Sequence, residues 1–166
     1  MYISQDPIRL KGGYYLYSFV KNANRYLDPL SLTFEELAKE RERRRLPIAG
    51  SQTDKSTLAK LEIDRNSYYG VNKGDQNPKT EITLEKVNAI TKTHAEADAT
   101  QKAINGCKIG SAKTAVLWVD RDPCLSCGKN GGLRSLARNL GVEELIVHPP
   151  SGTKTYKPNM LIKKIL

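Results

Sequence analysis

No stretch of the sequence approaches the roughly 20 consecutive apolar residues that a membrane span needs. The opening MYISQDPIRL also lacks the basic-then-apolar layout of a cleaved secretory signal. Neither a membrane partner nor export through a cleaved signal is expected of this chain by itself. Cysteine is scarce as well. There are three, an odd number, and two of them stand as Cys-x-x-Cys. That makes no disulfide framework and points instead to a metal or redox site in a reducing compartment. Acidic residues are few relative to bases: 18 Asp and Glu against 27 Lys and Arg leave a formal charge of +9. Such a surface attracts polyanions, nucleic acid above all, although solubility alone would also account for it. The length, 166 residues, suits one domain with a real core and a short appendage.

Along the chain, residues 1–32 read differently from the rest. A short phrase occurs twice, Asp6-Pro7-Ile8-Arg9-Leu10 and Asp28-Pro29-Leu30-Ser31-Leu32, around the tyrosine-rich stretch that follows Gly12-Gly13. Alternating aromatics and aliphatics after a Gly-Gly turn predict an extended segment that pairs with a sheet lying outside it. Residues 33–46 read as a helix capped by Thr33 with Glu36 three positions on, its apolar face thin and its end rich in arginine, as a solvated linker helix would be. The spacing then predicts a hairpin over residues 58–71 turning at Asp64-Arg65-Asn66, followed by a helix over 83–105 stopped by Gly106. A buried strand over 115–119 leads to a second helix over 123–140, opened by Pro123 and stopped by Gly141. Another buried strand over 144–147 and a lysine-guarded edge strand over 160–166 complete an α/β sheet with helices packed on it.

Chemistry concentrates in two places. His94-Ala95-Glu96 falls on the first core helix, and Pro123-Cys124-Leu125-Ser126-Cys127 falls at the start of the second. One imidazole and two thiolates fill three tetrahedral positions of a zinc ion and leave the fourth for water. A helix start favours the thiolate forms. Glu96 is too close to His94 along the chain to bind the same ion comfortably, yet it can reach the attacking water and a substrate ring, as an acid–base carrying protons between them. H-x-E followed by P-C-x-x-C is the signature of zinc nucleobase deaminases, which attack C4 of cytosine or C6 of adenine and release the exocyclic amine. Other readings stay open. A structural zinc would need a fourth ligand, for which Cys107 and His148 are available; a redox dithiol would not need Glu96 at all.

Two resemblances sharpen these expectations. Residues 1–32 resemble the closing motif of Rhs/YD-repeat polymorphic toxins, where a β-cage ends and a variable toxin domain begins. By that resemblance Asp6 and Asp28 would be the acids of a self-cleavage near Leu32, although Arg9 and Ser31 stand where the family usually has glycine, and both acids can equally open turns. The chain then divides into a cage end at 1–32, a linker with a helix at 33–57, and a deaminase domain at 58–166. The core is similar to the cytidine/deoxycytidylate deaminase superfamily, and within it to bacterial DNA cytosine deaminase toxins of the DddA-like, Rhs-associated type. Thr93-His94-Ala95-Glu96-Ala97-Asp98, Asp122 to Gly128 and Ile146 to Gly152 carry that likeness.

The resemblance implies a cytidine-deaminase-like mixed five-stranded sheet with its last two strands antiparallel, zinc on His94, Cys124 and Cys127, and Glu96 as the catalytic residue. It implies a base drawn from a strand of DNA, single-stranded slightly ahead of duplex, with Asn72, Ala95, Tyr69 and Pro123 touching substrate, and Tyr68, Trp118 and Asp120 near the mouth. For Trp118, inside an apolar run, a core position is the better expectation. Lys154, Lys157, Lys163 and Lys164 could track phosphates or simply solvate an edge. The implied biology is a monomeric toxin domain, secreted within a larger Rhs polypeptide, acting in the cytoplasm of a target bacterium and neutralised by a cognate immunity protein. Deamination of RNA, of adenine or of free nucleosides, and a zinc-stabilised nucleic-acid-binding module without catalysis, remain the alternatives.

Overall fold

The structure, a computed structural model, describes residues 29–158, with side chains from residue 33. Its centre is a five-stranded sheet in the order β2-β1-β3-β4-β5. The hairpin of β1 (Leu58–Ile63) and β2 (Asn66–Val71) turns through Asp64 and Arg65, both at positive φ, as a two-residue loop between twisted strands requires. β1 also pairs antiparallel with β3 (Thr114–Val119). β3 pairs parallel with β4 (Glu144–His148), and β4 antiparallel with β5 (Lys154–Tyr156). The sheet is therefore mixed and its last two strands are antiparallel, as expected. No helix intervenes between β4 and β5; Pro149, Pro150 and Gly152 turn the chain instead, closed by the Gly152 N–H donating to the Pro149 carbonyl at 3.1 Å. Residues 1–28 and 159–166 lie outside the described residues, and with them the cage-end reading and the strand expected over 160–166. No described helix is long and apolar enough to cross a membrane.

Helices α2 (Ala95–Asn105) and α3 (Gly132–Leu140) cover one face of the sheet. Ala95, Ala97, Ala99 and Ala103 of α2 and Leu133, Leu136, Ala137 and Leu140 of α3 meet Ala59, Leu61, Leu117, Val119, Leu145 and Val147, all buried. The small α2 side chains let that helix lie directly on the hairpin. A Cβ on Gly70 would sit 2.1 Å from the Ala95 carbonyl oxygen and 2.3 Å from the Ala99 nitrogen, so glycine is required in β2.

Both core helices are shorter than the periodicity predicts. Leu84 and Val87 do face the core, but residues 83–94 are turns, ending in a 3-10 turn at Thr91–Thr93. Side chains take the backbone groups that a helix would use: Gln101 Oε1 accepts from the Thr83 N–H at 2.8 Å, Asn139 clasps Glu85 through both amide atoms, and Asn88 Oδ1 accepts from the Thr91 N–H at 2.7 Å. The β-branched residues and Asn88 weaken helix propensity over this run, and Lys86 at φ 52° breaks it. The second helix likewise starts at Gly132, not at Pro123, because Gly128, Gly131 and Gly132 favour turns over helix. Gly132 is the place of closest approach: a Cβ there would meet Thr91 Oγ1 at 2.5 Å and the Ser126 carbonyl oxygen at 2.6 Å.

On the opposite face lies α1 (Pro29–Arg43), longer than expected and not solvated. Leu37 is buried with Leu58, Val71 and Trp118, and Phe34 meets the Trp118 ring edge-on. One turn beyond Leu37, Arg41 is buried too and reaches two acids, Asp54 at 2.5 Å and Asp120. Its Nε donates to the Pro47 carbonyl at 2.8 Å. Burial alone would raise both carboxyls. The Gly50 and Ser56 N–H groups and Arg41 hold Asp54 below the usual carboxylate range, whereas Asp120 stays above it despite the Leu58 N–H and Arg41. Taking away the shared cation would leave the buried Asp120 carboxylate without a cation and Asp54 with Arg121 alone. Arg41→Met is therefore expected to destabilise the protein by about 3–5 kcal/mol in urea unfolding; a loss below about 1 kcal/mol would mean the triad is incidental.

Candidate active site

The metal-ligand candidates come from two irregular segments that the sheet brings together. His94 is the N-cap of α2, in an extended conformation (φ −94°, ψ 159°), and not a helical residue as expected. Its N–H donates to the Thr91 carbonyl at 3.0 Å, and its own carbonyl accepts the Asp98 N–H at 3.2 Å, so the ring is aimed from a fixed helix start. Cys124 and Cys127 lie in the turns before α3. The Cys124 carbonyl accepts from the Gly128 N–H at 2.9 Å, and the Cys127 carbonyl from the Leu133 N–H at 2.8 Å. The expectation that these cysteines open a helix fails, since α3 begins beyond them. The helix end they meet is that of α2.

His94 Nδ1 stands 3.0 Å from Cys127 Sγ and 3.8 Å from Cys124 Sγ. The three donor atoms all lie within 4.8 Å of one another. Among the described residues they are the only such group. Cys107 is exposed in a left-handed turn, and His148 is stacked on Trp118 (ring centroids 4.0 Å apart) with Nδ1 2.7 Å from Thr153 Oγ1. Neither supplies a fourth protein ligand. A borderline-soft divalent ion fits this donor set. Cys127 is fully buried, and burial, then the Glu96 charge and Cys124, push its thiol far above the ordinary range. A cation in place is what would make that sulfur a thiolate.

Glu96 lies in the first turn of α2 and is only 3% exposed. Burial pushes its carboxyl up. Its own backbone N–H, the charge of His94 and Cys127 oppose that, and Asp120 adds to it. A carboxyl so placed can hold a proton nearer neutrality than an exposed glutamate, which a proton carrier requires. The anchor at Asp120, immediately before the cysteine loop, is thus part of the electrostatic surroundings of Glu96. Asp54 extends the anchor, accepting from Arg121 at 2.9 Å.

The other expected contacts sort differently. Asn72 stands at the end of β2 and donates to the Lys55 carbonyl at 3.1 Å. Ala95 is wholly buried under the hairpin, and Pro123 lines a cavity with Cys124. Tyr69 is a correction. Residues of β2 alternate faces, and its ring packs with Leu37 and Trp118 on the α1 side, opposite α2. Tyr68 is on the α2 side but runs toward the far end of that helix, its hydroxyl against Gly106. Trp118 is core, as expected, and Asp120 is held by Arg41 and by the Leu58 N–H at 3.0 Å. Lys157 pairs with Glu144 at 3.0 Å, and Lys154 is exposed. Lys163 and Lys164 lie outside the described residues.

Arg41 was missed from sequence, and Asp98 was named there without a role. Arg41 continues the apolar stripe Phe34, Leu37, Ala38 at helical spacing, and a charge inside such a stripe is the signal of a buried ion pair. Asp98, wholly buried two residues beyond Glu96, accepts from the Val71 N–H at 2.9 Å and from Lys102 at 2.8 Å, tying α2 to the strand end that precedes Asn72.

Residues 34–166 match the model of the MafB19-like deaminases. Among solved structures the chain is similar to a cytidine deaminase from Burkholderia pseudomallei, at 15% identity and a TM-score of 0.40, over 80% of this chain and 98% of that one. No curated protein matches.

Proposed function

The chain belongs to the MafB19-like deaminase family, and from that membership we propose that it converts cytosine to uracil in DNA with zinc held by His94, Cys124 and Cys127. The observation that carries the reading is the convergence of those three donors beside the buried carboxyl of Glu96. When bound there, zinc supplies Lewis acidity that makes hydroxide available at neutral pH. Glu96 takes a proton from the attacking water as the oxygen bonds to C4 and delivers it to N3 of the ring. It then takes the remaining proton from the new C4 hydroxyl and passes it to the exocyclic amine, which departs as ammonia while the C4–N bond breaks and the C4 carbonyl of uracil remains. Glu96 thus begins and ends the cycle in the same protonation state.

DNA as substrate is supported by the formal charge of +9 and by the likeness of three segments, Thr93 to Asp98, Asp122 to Gly128 and Ile146 to Gly152, to those of DNA-acting toxin deaminases. The same likeness, with the doubled Asp-Pro phrase of residues 1–32, supports a toxin domain delivered within a larger Rhs polypeptide into a bacterial cytoplasm. A monomer kept in check by an immunity protein completes that proposal. The test is to incubate the purified protein with single-stranded DNA, duplex DNA and RNA and to sequence the products. C-to-T changes in DNA, more in single strands than in duplex, are expected. No change in any of the three would reject nucleic-acid editing, and changes confined to RNA, or A-to-G changes, would replace the substrate.

A further inference from the structure

Thr91 joins the two segments that supply the candidate metal donors. It is wholly buried, and its Oγ1 stands 3.8 Å from Cys127 Sγ, near enough for a hydrogen bond to sulfur. Its carbonyl accepts the His94 N–H at 3.0 Å. One residue thus touches Cys127 through its side chain and His94 through its backbone. The second contact depends on the 3-10 turn at Thr91–Thr93, which stands where the periodicity predicts continuous helix and points the Thr91 carbonyl at the residue three positions on. Thr91 is itself held in place. Its N–H donates to Asn88 Oδ1 at 2.7 Å, and Asn88 Nδ2 donates at 3.4 Å to the Ser126 carbonyl in the cysteine loop. Gly132 leaves room for the hydroxyl, since a Cβ there would lie 2.5 Å from Thr91 Oγ1 and 2.8 Å from the Cys127 Cα.

Of the two cysteines, Cys127 has the greater need of such a partner. Cys124 is exposed, so water can solvate its sulfur, whereas Cys127 is fully buried. His94 Nδ1 lies 3.0 Å from the Cys127 sulfur, and Cys124 and the Glu96 carboxyl both act against negative charge on it. A ligand sulfur in those surroundings is costly unless something donates to it. Thr91 brings a neutral donor that is committed neither to the metal nor to proton transfer. Resting on the metal-site reading above, we propose that Thr91 is a positioning residue whose hydroxyl donates to the Cys127 sulfur once a metal has displaced its proton, and so sets how tightly the metal is held. In the metal-free chain the bond runs the other way, the thiol donating to Thr91 Oγ1. Hydrogen bonds to a ligand sulfur draw electron density from it, and partners of this kind fix the geometry in which it meets the ion.

The test compares Thr91→Ser with Thr91→Ala in the whole chain. Both lose the methyl group and they differ by the hydroxyl alone, so the comparison separates the hydrogen bond from packing. Zinc affinity, measured by competition with a coloured chelator, is expected to fall about tenfold or more in Thr91→Ala and to stay within about threefold of the parent in Thr91→Ser. With cobalt in place of zinc, the sulfur-to-cobalt charge-transfer band should move to lower energy in Thr91→Ala and hold its position in Thr91→Ser. A sulfur relieved of its hydrogen bond gives up an electron more readily. A gap in Tm between the two variants should be present with zinc and close when the metal is removed, because only the metal-bound form gains from the donor. Equal affinities and equal spectra in the two variants would overturn the inference. So would a Tm gap of the same size with and without metal, which would make the hydroxyl a general packing group. A parent chain that takes up neither zinc nor cobalt would overturn the metal-site reading itself.

Discussion

Glu96→Gln is expected to lower kcat by about a hundredfold to ten-thousandfold, the usual contribution of a positioned acid–base group, while the zinc content stays at that of the parent. Glutamine fills the same buried space at the start of α2, so the packing around Ala95 and Ala97 is undisturbed. What it lacks is the ability to accept a proton from water and release it to the ring. The three candidate metal donors lie on other residues and keep their spacing. Stability should not fall, because a neutral amide costs less to bury than a carboxylate whose burial already disfavours its charge. Ammonia release and elemental analysis on one preparation check both halves. Full turnover in the variant would remove Glu96 from the mechanism; loss of zinc with turnover would make it a structural residue.

Removing the metal is expected to abolish turnover and to lower stability together. Cys127 is buried with its thiol pushed up, and His94 and both sulfurs crowd within a few ångströms, as donors to one ion would. A ligand that binds only the folded chain stabilises it by about 4 kcal/mol at a thousandfold excess over its Kd. Treatment with a strong chelator should therefore lower Tm, and zinc should restore both Tm and turnover. Cys127→Ala should show the chelated behaviour without chelator and resist rescue. Activity that survives complete chelation would count against the proposed chemistry.

What the sequence made legible is chemistry that sits close along the chain. His-x-Glu and Pro-Cys-x-x-Cys single out the candidate donors and the candidate proton carrier without any three-dimensional knowledge, and the buried strands 115–119 and 144–147 announce themselves as continuous apolar runs. The hairpin was readable because its turn demands particular residues. The helix starts were not. Thr83 to Thr93 keeps helical spacing in Leu84 and Val87, but its backbone groups are satisfied by Gln101, Asn139 and Asn88, partners that only folding supplies. That is why His94 caps a helix and does not lie within one, and it improves the site, since an extended residue can aim its ring sideways at Cys127. Tyr69 was misplaced for a similar reason: the parity of β2 decides which face a side chain takes, and Gly70, against α2, fixes that parity. Arg41 was hidden in an arginine-rich run whose other described members, Arg43, Arg44 and Arg45, are not fully buried.

The most direct test of the central claim is X-ray absorption at the zinc edge of the purified protein, read with its zinc stoichiometry. One zinc per chain, with two sulfur and two nitrogen or oxygen neighbours, is the predicted first shell: Cys124, Cys127, His94 and one exchangeable position. A third sulfur, a closed shell that no small ligand can enter, or a protein that retains no zinc would contradict it.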